Sequence, residues 1–264
     1  MSAQEQIGAP SGLLGELRLI LAAVQYFTRL PVPAWVGHSP VHLQGTARYF
    51  SLVGVLVGGV GALAFWGSAL ILPAPLPAIL STATTIFLTG AFHEDGLADT
   101  FDGLGGGATR ERALEIMKDS RLGTFGVTAL VLALLIKIAA VNALPITQTL
   151  IVLIAGHAFS RACAISLLFA SNYVGNAEQS RAGVVARTMS GGEFTIAATI
   201  GVIPLYWCGI HALAGATIAL LILFVLARWF VRRLGGFTGD TLGAAQQLTE
   251  IAFYSGVLAS WNSI

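Results

Sequence analysis

The sequence predicts an all-α protein, a polytopic integral membrane helical bundle of about six or seven spans. Two observations carry that prediction. Of its 264 residues 55% are hydrophobic and only 10% charged, against about 25% charged in an ordinary soluble domain, and the mean hydropathy is +0.79. The apolar residues also fall into runs of bilayer-crossing length, about 20 residues each. Residues 1–264 read as a single membrane domain. Residues 1–12 are expected to be disordered, residues 13–49 form an interfacial helix and connector, and residues 50–264 form the transmembrane bundle. A net charge of +1 gives no general pull toward nucleic acid. Cys163 and Cys208 lie inside apolar runs and read as small buried side chains, not as a disulfide or a metal pair.

Residues 13–28, LLGELRLILAAVQYFT, are apolar nearly all round and predict a helix in or on the membrane. Pro31 and Pro33 end it. Trp35 and Tyr49 bracket a polar connector suited to the membrane–water interface. The first span covers 50–72, where Gly54, Gly58 and Gly61 form a small-residue face for close helix packing. Pro73, Pro75 and Pro77 make a turn, and 76–93 is the second span. Residues 109–118 predict an amphipathic surface helix. Spans follow at 124–142, 146–170, 193–208 and 210–230, the last two hinged near Gly209. A more polar seventh span, 242–262, contains Gln246, Gln247 and Glu250.

Basic residues gather in alternate connections: Arg18, Arg29 and Arg48; Arg110, Arg112, Lys118 and Arg121; Arg181 and Arg187; Arg228, Arg232 and Arg233. The intervening turns carry none. The positive-inside rule then places the basic segments in the cytoplasm, with the active site facing it.

The chemistry concentrates in Gly90–Gly107, GAFHEDGLADTFDGLGGG. Glu94, Asp95, Asp99 and Asp102 stand there with no Lys or Arg among them. On a helix the three aspartates share one face, and like charges at that spacing call for a cation. Oxygen ligands of this kind suit magnesium; the plain alternative is a solvated acidic helix cap. The glycines at 103 and 105–107 serve either close approach to a ligand or a flexible linker. Residues 93–123 hold seven of the thirteen acids and four cations, a division suited to metal-held phosphate chemistry. In KDSR, Lys118 and Arg121 bind phosphate or merely anchor the membrane surface, and Asp119 is a further ligand or their partner. Asp240 in GGFTGDT is either a ligand or a helix cap. His157, Ser160 and Arg161 lie on one face of a span, where a charge usually points into the bundle. Arg161 there pairs with an acid or binds phosphate. Lys137 is expected to snorkel to the nearby outer turn.

FHEDGLADTFDGLGGG, MKDSRLGTFG and GGFTGDTLGA, in that order, resemble the motifs of the cobalamin synthase family, adenosylcobinamide-GDP ribazoletransferase. YFTRLPVP is similar to that family's opening signature; Ser51 stands where the family would have proline. The resemblance runs from about Gln25 to the last span. It implies a multi-pass enzyme of the cell inner membrane, surrounded by membrane lipid, that joins adenosylcobinamide-GDP to α-ribazole or its 5′-phosphate. GMP is released, and Mg2+ is required. It further implies attack by the ribazole 5′-hydroxyl, with His93, Glu94 or Asp95 as the catalytic groups. Asp95, Asp99, Asp102, Asp119 and Asp240 would hold metal, and Arg110, Lys118, Arg121, Arg161 and Thr238 would bind substrate. The oligomeric state stays open, a homo-oligomer included. Two other readings compete: a CDP-alcohol phosphotransferase, whose motif needs an Arg where Asp99 follows Ala98, and an ion-coupled transporter using buried carboxylates.

Overall fold

The computed structural model describes residues 12–37, 45–175 and 189–263. The N-terminal stretch read as disordered lies outside them up to residue 11, as do Arg181 and Arg187. Among the described residues there are ten α-helices and no strand, with one isolated parallel bridge, Tyr173 to Phe237. The helices are α1 (Leu13–Phe27), α2 (Phe50–Ala69), α3 (Leu76–Thr89), α4 (Phe92–Gly106), α5 (Arg110–Ile116), α6 (Thr124–Ala143), α7 (Ile146–Ala170), α8 (Gly191–Val202), α9 (His211–Leu234) and α10 (Gly239–Trp261).

Four helical stretches are long and apolar enough to cross a membrane: Thr46–Ala69, α6, Ile146–Phe169 and α9. A fifth results if α3 and α4, bent by 89° at their junction, count as one. That is fewer than the predicted six or seven, and each difference has a local cause. The predicted span 76–93 breaks because Gly90 and Ala91 both adopt left-handed backbone, φ 68° and 59°. Such a pair ends α3 and turns the chain across the bundle. Ala91 is the single non-glycine residue with positive φ among those described, a conformation that crowds a β-carbon. The predicted span 193–208 splits after Val202 into α8 and a 3-10 segment, Ile203–Cys208, at whose start Pro204 lies; proline lacks the N–H that would continue the ladder. The predicted seventh span does form a helix of 23 residues. Its polar residues are tolerated because it is enclosed by neighbours, packed against α4, α6, α7 and α9.

Close packing follows the glycines. A β-carbon on Gly58 would fall 2.7 Å from the Leu153 carbonyl oxygen of α7, and one on Gly61 would fall 2.7 Å from Thr85 of α3. Gly54 likewise lets α2 meet α7 at His157. The predicted small-residue face therefore serves two neighbours. Arg48 ties the N-terminal part together, 3.1 Å from Glu16 of α1 and 3.8 Å from Glu193 of α8. Cys163 and Cys208 are free and buried, as expected.

The interior holds charge. Glu250 of α10 is 0% exposed and Lys137 of α6 is 2% exposed; their ion pair is 2.6 Å long. Lys137 therefore does not snorkel outward. It reaches inward because α10 presents a carboxylate at its depth, and an ammonium partnered there avoids standing alone in low dielectric. The same carboxylate receives His157 Nδ1 at 3.0 Å and the Tyr254 hydroxyl at 3.1 Å. Gln246 Nε2 donates to it and to Ser160 Oγ. His157, Ser160 and Arg161 all face the interior, as their spacing predicts.

Removing one partner of a buried pair leaves a bare charge and costs about 3–5 kcal/mol. Glu250→Ala is therefore expected to lower the thermal unfolding midpoint of the detergent-purified protein sharply. Lys137→Met combined with Glu250→Leu should recover most of the loss. Equal midpoints for Glu250→Ala and the unmodified protein would contradict this role.

Candidate active site

The acidic stretch becomes a helix because the left-handed corner at Gly90–Ala91 restarts the chain and nothing breaks it before Gly107. Its N-terminal half packs on the start of α10. Gly96 makes that approach possible: a β-carbon there would fall 2.8 Å from the Asp240 carbonyl oxygen. Asp95 and Asp99 of α4 are thereby brought beside Asp240. Asp95 is exposed, Asp99 and Asp240 are half-buried, and Asp99 feels the charge of Asp95, Asp240 and Asp102. No cation is paired with Asp95, Asp99 or Asp240 among the described residues.

The other predicted residues separate from this group. Glu94 is buried; its Oε1 accepts from Gln247 Nε2 at 2.9 Å, and its Oε2 is enclosed without a partner. Gln247 also donates to Gln246, so amides link Glu94 to the Glu250 cluster. His93 is buried beneath Phe27, with ring centroids 5.9 Å apart and planes within 10°, and makes no hydrogen bond among the described residues.

Asp102, expected on the metal face, is occupied elsewhere. Its two carboxylate oxygens accept from the backbone N–H groups of Gly123 and Gly126, at 2.7 and 2.8 Å. The carboxylate thus caps the N-terminus of α6, where four N–H groups lack intrahelical partners and negative charge is favoured. Two residues bring it there: a β-carbon on Gly126 would clash with the carboxylate, and one on Gly123 would fall 2.5 Å from Oδ1.

Asp119 and Arg121 engage each other in the α5–α6 connection, Nη2 to Oδ2 at 2.6 Å. The Arg121 hydrogen bond pulls the Asp119 carboxyl down to about 2. A depressed carboxylate keeps its pair at neutral pH, and the interaction is lost only as pH falls toward that value. Lys118 beside them is exposed. Arg110 donates from Nε to the Leu234 carbonyl at 2.6 Å and Arg233 to that of Gly107, so the start of α5 is fastened to the end of α9. Arg161 is 3% exposed and donates to the His157 carbonyl at 2.9 Å. Thr238 is the N-cap of α10, accepting from Thr241 N at 3.2 Å. The glycine run is mostly helical, continuing α4 to Gly106, and it serves close packing. Gly103 and Gly107 admit Ala113 of α5, and Gly105 admits the Phe125 ring.

Sequence reasoning missed the roles of Lys137, Gln247 and Glu250, although Gln246, Gln247 and Glu250 inside one predicted span were a usable signal. It also used Arg29 only for topology. Arg29 lies against the α3–α4 corner, where a β-carbon on Gly90 would fall 2.7 Å from its Nε.

A family model described as cobalamin-5-phosphate synthase matches residues 19–258, a range that includes α4, the α5–α6 connection and the start of α10. The chain belongs to that family. An adenosylcobinamide-GDP ribazoletransferase of Leptothrix cholodnii is 47% identical over 94% of this chain and 98% of its own length. Proteins of the same name from Shewanella amazonensis and Vibrio parahaemolyticus are 45% and 41% identical, each over 94% of this chain and over 97% and 95% of their own lengths. No solved structure matches the chain significantly. Family membership leaves the CDP-alcohol phosphotransferase and transporter readings without support.

The geometry separates Asp102 and Asp119, which have strong internal partners, from Asp95, Asp99 and Asp240, which have no cation among the described residues. Asp102→Ala should cost about 1–3 kcal/mol by stranding two N–H groups at the start of α6, read as a lower unfolding midpoint. Asp119→Ala, which breaks only an exposed pair, should leave that midpoint within error.

Proposed function

We propose that this family member joins adenosylcobinamide-GDP to α-ribazole or its 5′-phosphate, yielding adenosylcobalamin or its phosphate and GMP. The observation that carries this reading is the meeting of Asp95, Asp99 and Asp240 at the α4–α10 contact, in a chain of the cobalamin-5-phosphate synthase family. The positive-inside pattern supports placing that contact on the cytoplasmic side of the inner membrane.

The expected nucleophile needs correction. The family description names a product phosphorylated at the 5 position, so with the 5′-phosphate as substrate that oxygen is already esterified. The attacking group is then a secondary hydroxyl of the ribose. Its oxygen forms the new bond to the phosphorus that carries the cobinamide arm. The P–O–P link breaks, and GMP leaves with the bridging oxygen and its electron pair. The hydroxyl proton passes to a carboxylate, and Asp95 is the most open one at the site.

Magnesium suits this donor set in chemistry. Asp95, Asp99 and Asp240 offer hard oxygens without a counter-charge. No three His, Cys, Asp or Glu side chains among the described residues are gathered as a closed metal cage. Magnesium does not require one, because it keeps several waters and is commonly held by one or two carboxylates plus substrate phosphates. When bound, it supplies charge neutralisation on the diphosphate. The chain's own residues orient the two substrates, and the exposed Lys118 and the free nitrogens of Arg110 lie in the basic segment that follows α4.

Asp95→Asn and Asp99→Asn are each expected to lower GMP release at least about 100-fold, while the protein still inserts and melts normally. Chelation of divalent cations should stop release and added magnesium restore it. Near-normal turnover by either variant would overturn the assignment of the site.

A further inference from the structure

A pocket opens beside the acidic site, where the end of α1, the starts of α2, α4 and α10, and the C-terminal half of α7 meet. Its walls include Phe27, Phe50 and Phe92, with Phe27 edge-on to the other two at 4.0 and 5.6 Å between centroids. Tyr26, His93, Arg161 and Gln246 are the polar side chains of this lining. Gln246 is engaged by Ser160 and Glu250, and His93 and Arg161 are the two polar groups that bear on the occupant. His93 is 4% exposed and has no hydrogen-bond partner among the described residues. Arg161 Nε is likewise enclosed and unpartnered. Buried polar groups are nearly always satisfied, and exceptions call for an explanation.

We infer that this pocket takes a planar nitrogen heteroaromatic ring, the base of the nucleoside substrate. The chemistry of the lining selects that occupant. An acyl chain would match the phenylalanines but leave both polar groups unpaired. A bare phosphate would suit Arg161 but not three aromatic walls. A flat heterocycle stacks on the rings, and the one ring nitrogen that its ribose leaves unsubstituted accepts a hydrogen bond from His93 or Arg161. The position agrees. Phe92 and His93 run directly into Asp95, and Asp240 follows the lining residue Gly239, so a base held here hands its ribose to the carboxylates. Naming the ring as that of α-ribazole rests on the proposed function; the choice of a heteroaromatic ring does not.

Phe92 is 39% exposed, so replacing it tests the pocket with little risk to folding. In the full-length, detergent-purified protein, Phe92→Leu should raise the KM for α-ribazole and the inhibition constant of free benzimidazole roughly tenfold. The KM for adenosylcobinamide-GDP should stay within twofold, and Phe92→Tyr should restore both shifted constants. Unchanged constants, or equal shifts for both substrates, overturn the inference. If the unmodified protein releases no GMP from any nucleoside, the proposed function fails, and direct benzimidazole binding decides the pocket. Binding weakened roughly tenfold by Phe92→Leu supports it. No binding, or displacement of benzimidazole by oleate but not by α-ribazole, sinks it.

Discussion

A charge inside a membrane bundle has to be partnered there, and Glu250 meets that constraint for this fold. One carboxylate receives donors from three helices: Lys137 from α6, His157 from α7, and Gln246 and Tyr254 from its own α10. Replacing such a cluster by packed apolar groups is often neutral or stabilising, so its value is not simply strength. It fixes the rotation and depth of α10 relative to two neighbours, because a shifted helix would strand a charge in low dielectric. With α10 fixed, Asp240 at its start is fixed as well. Through Gln246 and Gln247 the same network reaches Glu94 on α4.

The acidic site is assembled from two helix beginnings held by different means. α4 is aimed by the corner at Gly90–Ala91 and clamped at its far end by Asp102, which caps α6. α10 is aimed by its Thr238–Thr241 capping box and by the buried cluster. The two meet through Gly96, where no side chain intervenes. The motif glycines and the motif aspartate at 102 thus build the frame, while Asp95, Asp99 and Asp240 have no cationic partner among the described residues and Asp240 accepts a long bond from the Thr238 hydroxyl, 3.5 Å.

Much of this was legible in the sequence. Hydropathy and glycine spacing reveal the α2 packing face, and the residues of the acidic helix, the KDSR segment and the GGFTGD segment identify the family. What stayed hidden has a common cause. Spacing along one helix says which residues share a face but not which neighbour that face meets. Asp102 shares the face of Asp95 and Asp99, yet serves α6. Lys137 lies within reach of an outer turn, yet turns inward because Glu250 is there. Asp119 and Arg121 look like ligands to metal and phosphate, yet satisfy each other. The break at Ala91 was invisible because alanine ordinarily favours helix, and only the tertiary context holds it left-handed.

The Lys137–Glu250 pair also bears on the order of biogenesis. Lys137 leaves the ribosome more than a hundred residues before its partner, an interval of about 5–20 s at ordinary synthesis rates. During that time α6 enters the bilayer with a charge that the mature protein neutralises only with its last helix. Until then the physical requirement on the unpaired ammonium is an aqueous edge within reach of its flexible stem. Arrival of α10 then draws it inward and closes the interior. A chain truncated before Glu250 would insert its earlier spans yet lack the element that organises them, and would present quality control with an exposed, unpaired lysine.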